Sequence, residues 1–334
     1  MPDADDIFTK AAYGGQGWSP RTTSLRQEIG SIWGRCGVTS EWSPLQEVLL
    51  HRPGKELEAS AAPNEVQMLD PIDLYRAQSQ HDALARAYQR SGVRVHYVQP
   101  ASTPPPNLLF VADLMLMTPE GAILGRPAST IRAGEELFVA RRLAELGIPI
   151  LCSVRGTGTF EGADAAWLSP ETVLLARGLR TNTEGAAQVT SILREMDVQV
   201  VQVDLPPGTM HLMGQLRFAD RNLAIAWPNR LPGAAAEALE NYGYALAHIP
   251  DETEAIRGMA LNFVTLGPRR ILMAAGNPIS QAFYQDWGID CHTVQVDELA
   301  KAAGGIGCLT GVLKRQPTLS PTCTQPPVGV ELDT

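Results

Sequence analysis

The sequence has no paired cysteines. Its five cysteines (Cys36, Cys152, Cys291, Cys308 and Cys323) are an odd number, and no two stand in a C-x-x-C arrangement. That excludes a disulfide framework and a structural zinc site as organising devices, and makes a reducing cytoplasm the simplest setting. No apolar run approaches the roughly 20 residues of a membrane-spanning helix. The opening MPDADDIFTK carries acids and lacks the apolar stretch of a signal peptide. There is no basic excess either. The formal net charge is −9, whereas a nucleic-acid-binding face needs a basic stripe. What remains is an ordinary globular composition, 44% hydrophobic and 19% charged over 334 residues, enough for one large domain or two ordinary ones. Nothing in it excludes an oligomer.

What is present is a repeat. A short apolar run ending in a turn residue occurs at Val48-Leu49-Leu50-His51-Arg52-Pro53 and again at Ala122-Ile123-Leu124-Gly125-Arg126-Pro127. It recurs at Val173-Leu174-Leu175, at Leu223-Ala224-Ile225 and at Ile271-Leu272-Met273. Runs of this length bounded by Pro or Gly read as buried strands. Helical spacing follows most copies, as in Leu74, Ala77, His81, Leu84 and Tyr88, or Ala186, Val189, Leu193 and Met196. Each helix breaks at a junction (Gly92, Gly147, Asp197, Gly243, Gly288) and a second strand begins. Glycine at four of the five junctions suits a helix C-cap. A third, shorter strand is expected before most units, at 108–117, 163–168, 216–219 and 263–266.

The period is about fifty residues, which favours one pseudo-symmetric ring over two independent domains. The last segment, 307–313, has no helix after it and is expected to pair near Trp42 and close the ring. Closure would remove exposed sheet edges. The expected fold is thus an α/β ring of five units over residues 41–315. An N-terminal extension (1–40) precedes it and a loose Pro- and Thr-rich tail (316–334) follows.

The repeat does not need certain polar residues. The unit starts read Phe110-Val111-Ala112-Asp113, Phe160-Glu161-Gly162-Ala163-Asp164, Met210-His211-Leu212-Met213, Leu261-Asn262-Phe263 and Gly304-Gly305-Ile306-Gly307-Cys308. Equivalent positions in a ring converge on its axis, so Asp113, Glu161, His211 and Cys308 should meet. Carboxylates, an imidazole and a thiol are what nucleophilic catalysis on a cation requires. Taken alone, Cys308 is an ordinary core residue. The inference rests on the set.

These motifs together resemble the guanidino-modifying family of the pentein fold, which includes dimethylarginine dimethylaminohydrolases, arginine deiminases and amidinotransferases. Arg180-Thr181-Asn182 is similar to a dimethylargininase segment, His211-Leu212 to the base motif, and Gly304 to Thr310 to the terminal nucleophile motif. The resemblance spans about Trp42 to Arg315 and implies a five-bladed α/β propeller. It makes Cys308 the nucleophile, His211 the acid–base and Glu161 the partner of both His211 and the guanidinium. It makes Asp113 a guanidinium anchor and assigns Arg180 and Arg132 to the substrate carboxylate. Phe110 and Asp164, from the same motifs, are taken as further substrate contacts. The implied ligand is a small guanidino compound, the product a urea such as citrulline, and neither metal nor organic cofactor is called for.

Two departures bear on specificity. Ala112 stands where dimethylargininases carry an acid, and Met213 where arginine deiminases and amidinotransferases place an aspartate. The first alternative is an amidinotransferase, with an amine in place of water. The second is a non-catalytic binding protein on the same ring, as in the ribosome anti-association factors that resemble this fold.

Overall fold

A computed structural model of the protein describes residues 7–58 and 62–317. Among them the strands form five three-stranded sheets, the blades of a ring. β1 (Leu45–Leu50) is followed by α1 (Leu74–Arg90) and β2 (Arg94–Tyr97). The second blade is β3 (Met115–Thr118), β4 (Gly121–Leu124), α2 (Glu135–Glu145) and β5 (Ile150–Ser153). The third is β6 (Ala165–Ser169), β7 (Thr172–Arg177), α3 (Thr183–Glu195) and β8 (Gln199–Asp204). Then come β9 (Leu216–Asp220), β10 (Leu223–Ala226), α4 (Gly233–Asn241) and β11 (Ala245–His248). The fifth is β12 (Val264–Gly267), β13 (Arg270–Ala274), α5 (Pro278–Asp286) and β14 (Asp290–Val294). β15 (Gly311–Arg315) returns to pair antiparallel with β1, opposite Leu49 at Gly311, and completes the first blade.

Every blade has one plan. An antiparallel neighbour flanks the central strand, supplied by a hairpin in four blades and by β15 in the first, and a helical crossover brings the chain back to a parallel third strand. The central strands are therefore covered on both faces, which is why they read as continuous apolar runs. Val173, Leu174 and Leu175 are all fully buried. At about 1.5–3 kcal/mol per fully buried aliphatic side chain, such triplets carry much of each blade's stability. The helices end where the junction residues enter the left-handed region: φ is 80° at Gly92, 70° at Gly147, 77° at Gly243 and 72° at Gly288. The fifth junction adopts the same conformation without glycine, at Asp197 with φ 60°.

Three expectations need correction. The strand foreseen over 108–117 is mostly two 3-10 turns, Pro106–Leu109 and Val111–Leu114, with β3 beginning only at Met115. The chain has to turn there to carry Asp113 toward the axis. The segment 307–313 likewise opens with the helical turn Ile306–Leu309 before β15. The extension does not end cleanly at residue 40: Cys36 and Val38 are core residues, and Gly37 exchanges backbone hydrogen bonds with Leu313 and Arg315. Most of the expected C-terminal tail, from residue 318 on, lies outside the described residues, as does Cys323.

Candidate active site

In each blade one side chain precedes the strand antiparallel to the central one: Asp113 before β3, Glu161 before β6, His211 before β9, Asn262 before β12 and Cys308 before β15. The ring places these five positions around one end of its axis. Asp113, Glu161 and His211 are nearly fully buried and bring their polar atoms within 4.8 Å of one another. Asp113, His211 and Cys308 line one cavity with Phe110, Arg132 and Arg180.

Cys308 approaches on a glycine-rich strip because its neighbours leave no room for side chains. A Cβ on Gly304 would run into the Phe110 ring, and one on Gly307 would lie 2.7 Å from Asn262 Oδ1. Asn262 holds Cys308 directly. Its Nδ2 donates to Cys308 Sγ at 3.0 Å and its Oδ1 accepts from Cys308 N at 3.1 Å. Composition and titration chemistry gave no reason to single out Asn262. Its place in the fourth repeat was the available signal.

His211 Nε2 donates to Glu161 Oε2 at 2.7 Å and lies 3.9 Å from Asp113 Oδ1. Burial disfavours a charged imidazole, but the carboxylates Asp113, Asp164 and Glu161 outweigh it and hold His211 up to about 9. Burial likewise works against the Glu161 charge. The His211 hydrogen bond and the cations His211, Arg132 and Arg180 reverse that and bring Glu161 down to about 2. Burial, reinforced by the Asp113 charge, pushes the Cys308 thiol up to about 11, with the Asn262 hydrogen bond acting in the other direction. The empty site at neutral pH therefore holds a thiol beside an imidazolium.

The segment Arg180-Thr181-Asn182 has a separate task for each residue. Arg180 lines the cavity with Nη1 leaning toward Glu161, 3.3 Å from Oε1. Thr181 donates to Asp164 Oδ2 at 2.7 Å and accepts from Glu161 N at 3.3 Å. Asn182 caps α3 by accepting from Gly185 N, and also accepts from Thr159 N at 2.9 Å.

Three assigned roles change. Arg132 does not reach out for a carboxylate. It is buried, and Nη1 donates to Asp113 Oδ2 at 2.6 Å and to Glu161 Oε2 at 3.2 Å, while Nε and Nη2 both reach Glu135 Oε2. A buried guanidinium among three carboxylates is fixed by them. Asp164 is fully buried with both oxygens engaged, Oδ2 by Thr181 and Oδ1 by Leu212 N at 3.1 Å. It ties the residues next to Arg180 and His211 together and has no oxygen left for a ligand. Glu161 also lacks a free oxygen, since Oε1 accepts from Ala128 N and Arg180, and Oε2 from His211 and Arg132. The two-carboxylate grip on a guanidinium thus reduces to Asp113, whose buried Oδ1 has no hydrogen-bond partner among the described residues. Phe110 lines the cavity, with the Arg132 guanidinium 5.9 Å from its ring centre.

Asp113, Glu161 and His211 could in principle offer ligand atoms to one metal ion. Arg132 Nη1 already lies between Asp113 and Glu161, where such a cation would sit.

Comparison with known proteins gives the same site a context. Residues 99–233 match the family model described as arginine deiminase. A dimethylarginine dimethylaminohydrolase of Streptomyces coelicolor is 27% identical over 283 residues, covering 80% of this chain and 96% of that one. The structure of the Pseudomonas aeruginosa dimethylarginine dimethylaminohydrolase, a cysteine-to-serine mutant complexed with citrulline, superposes with a TM-score of 0.68 at 23% identity. It covers 82% of this chain and 100% of that one. The inosamine-phosphate amidinotransferase of Streptomyces griseus superposes with a TM-score of 0.69 at 14% identity, covering 86% of this chain and 99% of that one.

Proposed function

We propose that this chain, which shares its fold with guanidino-group-modifying enzymes and is similar in sequence to dimethylarginine dimethylaminohydrolases, is a cysteine-dependent amidine hydrolase of arginine or an Nω-methylated arginine. The products are citrulline and ammonia or an amine. The observation that carries the reading is the orphaned Asp113 Oδ1, a buried acceptor in the cavity bounded by Cys308 and His211. A guanidinium N–H satisfies it and brings the cation beside the thiol.

The electrostatics then order the steps. A guanidinium is planar and resonance-stabilised, so water alone attacks it slowly. Burial and then the Asp113 charge hold the thiol up; binding the cation next to Cys308 offsets that charge, and the thiol proton passes to solvent water. Sγ attacks the guanidino carbon and the C=N electron pair moves onto nitrogen. His211, already an imidazolium, gives its proton to the departing nitrogen, and the C–N bond breaks to leave an S-alkylthiouronium. Neutral His211 next takes a proton from water as the oxygen bonds to the same carbon. Collapse expels the thiolate and leaves the ureido product. Glu161 orients the imidazole throughout and stabilises its charge. Arg180 retains Nε and Nη2 for the substrate carboxylate.

The four described cysteines are free thiols, in keeping with a reducing cytoplasmic setting. Among the described residues no helix is long and apolar enough to cross a membrane. The deciding experiment assays arginine, mono- and dimethylarginine, agmatine and guanidino acids for ureido product, ammonia and alkylamine together, with Cys308→Ser as control. Citrulline formation that disappears in Cys308→Ser is the expected result. Turnover that survives the substitution sinks the nucleophile assignment. Product lacking oxygen from labelled water would instead favour the amidinotransferase alternative.

A further inference from the structure

Cys308 and His211 face two cavities. The first, holding Asp113 and Arg180, is the polar one described above. The second shares Met210 and Ala303 with the first as well as these two side chains, has a volume of about 370 Å³, and is walled by Met210, Met213, Trp227, Ile256, Met259 and Leu261. Met213 packs close to the nucleophile strip, its sulfur 3.3 Å from where a Gly307 Cβ would lie. Met259 adopts a left-handed backbone conformation, φ 53°, an unfavourable state for a side-chain-bearing residue that is held here beside the site. At the outer side the apolar wall is left uncovered: Met210 is 41% exposed and Ile256 47%. Arg230 closes the far wall by stacking on Trp227, 4.8 Å above its ring.

We infer that this apolar chamber is a subsite for the departing amine, so that the preferred substrates carry an alkyl or aryl group larger than methyl on the reacting guanidino nitrogen. The inference rests on the hydrolase reading above. The charged amino-acid end of a substrate belongs in the other cavity, where Arg180 is. The guanidino carbon has to sit at Cys308, between the two. Whatever the carbon releases toward His211 therefore emerges into the chamber. Methionines line it, and their unbranched thioethers adapt to apolar groups of different shape. One or two methyl groups would leave most of such a volume unfilled.

The test is the rate of citrulline formation from a series of Nω-substituted arginines: methyl, butyl and benzyl. The expected result is a kcat/KM for the butyl or benzyl compound at least tenfold above that for Nω-methylarginine. Ile256→Trp, at a half-exposed position outside the catalytic set, narrows the chamber. It should remove that advantage while leaving Nω-methylarginine within about threefold of wild type. If Nω-methylarginine is hydrolysed but the larger compounds are not, the chamber is no amine subsite and the hydrolase reading stands. If Ile256→Trp slows all substrates alike, the chamber serves the amino-acid end and the inference is overturned. If no arginine derivative yields citrulline, both readings fall together.

Discussion

Asn262 holds Cys308 by its backbone and its sulfur at once, Oδ1 accepting from the amide at 3.1 Å and Nδ2 donating to Sγ at 3.0 Å. A donor to sulfur favours the thiolate, the form that attacks. Asn262→Ala should therefore move alkylation of Cys308 by iodoacetamide to higher pH and lower kcat by tenfold or more, with the circular dichroism spectrum retained. An unchanged alkylation profile would reduce Asn262 to a backbone prop.

The two arginines should separate cleanly. Arg180→Ala should weaken amino-acid substrates by about 1.5–3 kcal/mol, the size of a lost charge-assisted contact, and agmatine far less. Arg132→Ala should affect both substrates equally. It removes the cation from Asp113, Glu135 and Glu161, so it should also cost about 3–5 kcal/mol of stability. Arg132→Lys should recover part of that. Substrate-selective loss in Arg132→Ala would restore it to the carboxylate subsite.

The pH dependence follows from the same charges. The leaving nitrogen needs the His211 proton, held up to about 9, and the thiol starts near 11 in the empty site. The value of kcat/KM should rise through neutrality and level off above about pH 9, whereas kcat, for which bound substrate has already released the thiol proton, should fall above about pH 9. For stability the sign is fixed by the folded value lying above the ordinary 6.5 of a histidine. The His211 contribution is fully present below pH 6.5 and is lost as pH rises through about 9. Tm measured against pH for wild type and His211→Asn should show a gap that narrows across that interval.

Met213 lines the chamber with Cys308 and His211, so a carboxylate there would meet guanidinium N–H groups that the thioether cannot satisfy. Met213→Asp should move preference from Nω-substituted toward free arginine by about ten- to a hundredfold. The ratio of kcat/KM values for the two substrates decides it.

Asp197 ends α3 in the conformation that glycine occupies at the other four junctions, with φ 60°. Asp197→Gly should remove about 1 kcal/mol of backbone strain and raise Tm by about 1–3 °C, without effect on turnover.

The sequence carried the ring because its physics is local. Apolar triplets flanked by turn residues, helical spacing and glycine caps each declare themselves within one unit, and they repeat. Cys308, His211 and Glu161 were legible because their positions within the units coincide. Arg132 was misread because a motif cannot show which way a long side chain turns, and the acid that decides it, Glu135, looks like a first-turn helix residue. Asp164 failed for a similar reason. Its partners, Thr181 and Leu212 N, lie in other segments of the chain. The turns over 106–114 escaped because the same apolar residues fill a tight turn or a strand when both are buried.

Ring closure by β15 on β1 has a consequence for synthesis. The proposed nucleophile, Cys308, lies between the last helical crossover and the strand that seals the ring, whereas Asp113, Glu161 and His211 precede it by about 100 to 200 residues. A growing chain can assemble four blades and their carboxylates while still lacking the thiol. During that time β1 has an open edge toward its missing partner, a place where another chain could add. Reactivity thus arrives only with the segment that also protects that edge, so an incomplete chain carries the hazard of association without the hazard of misdirected alkylation.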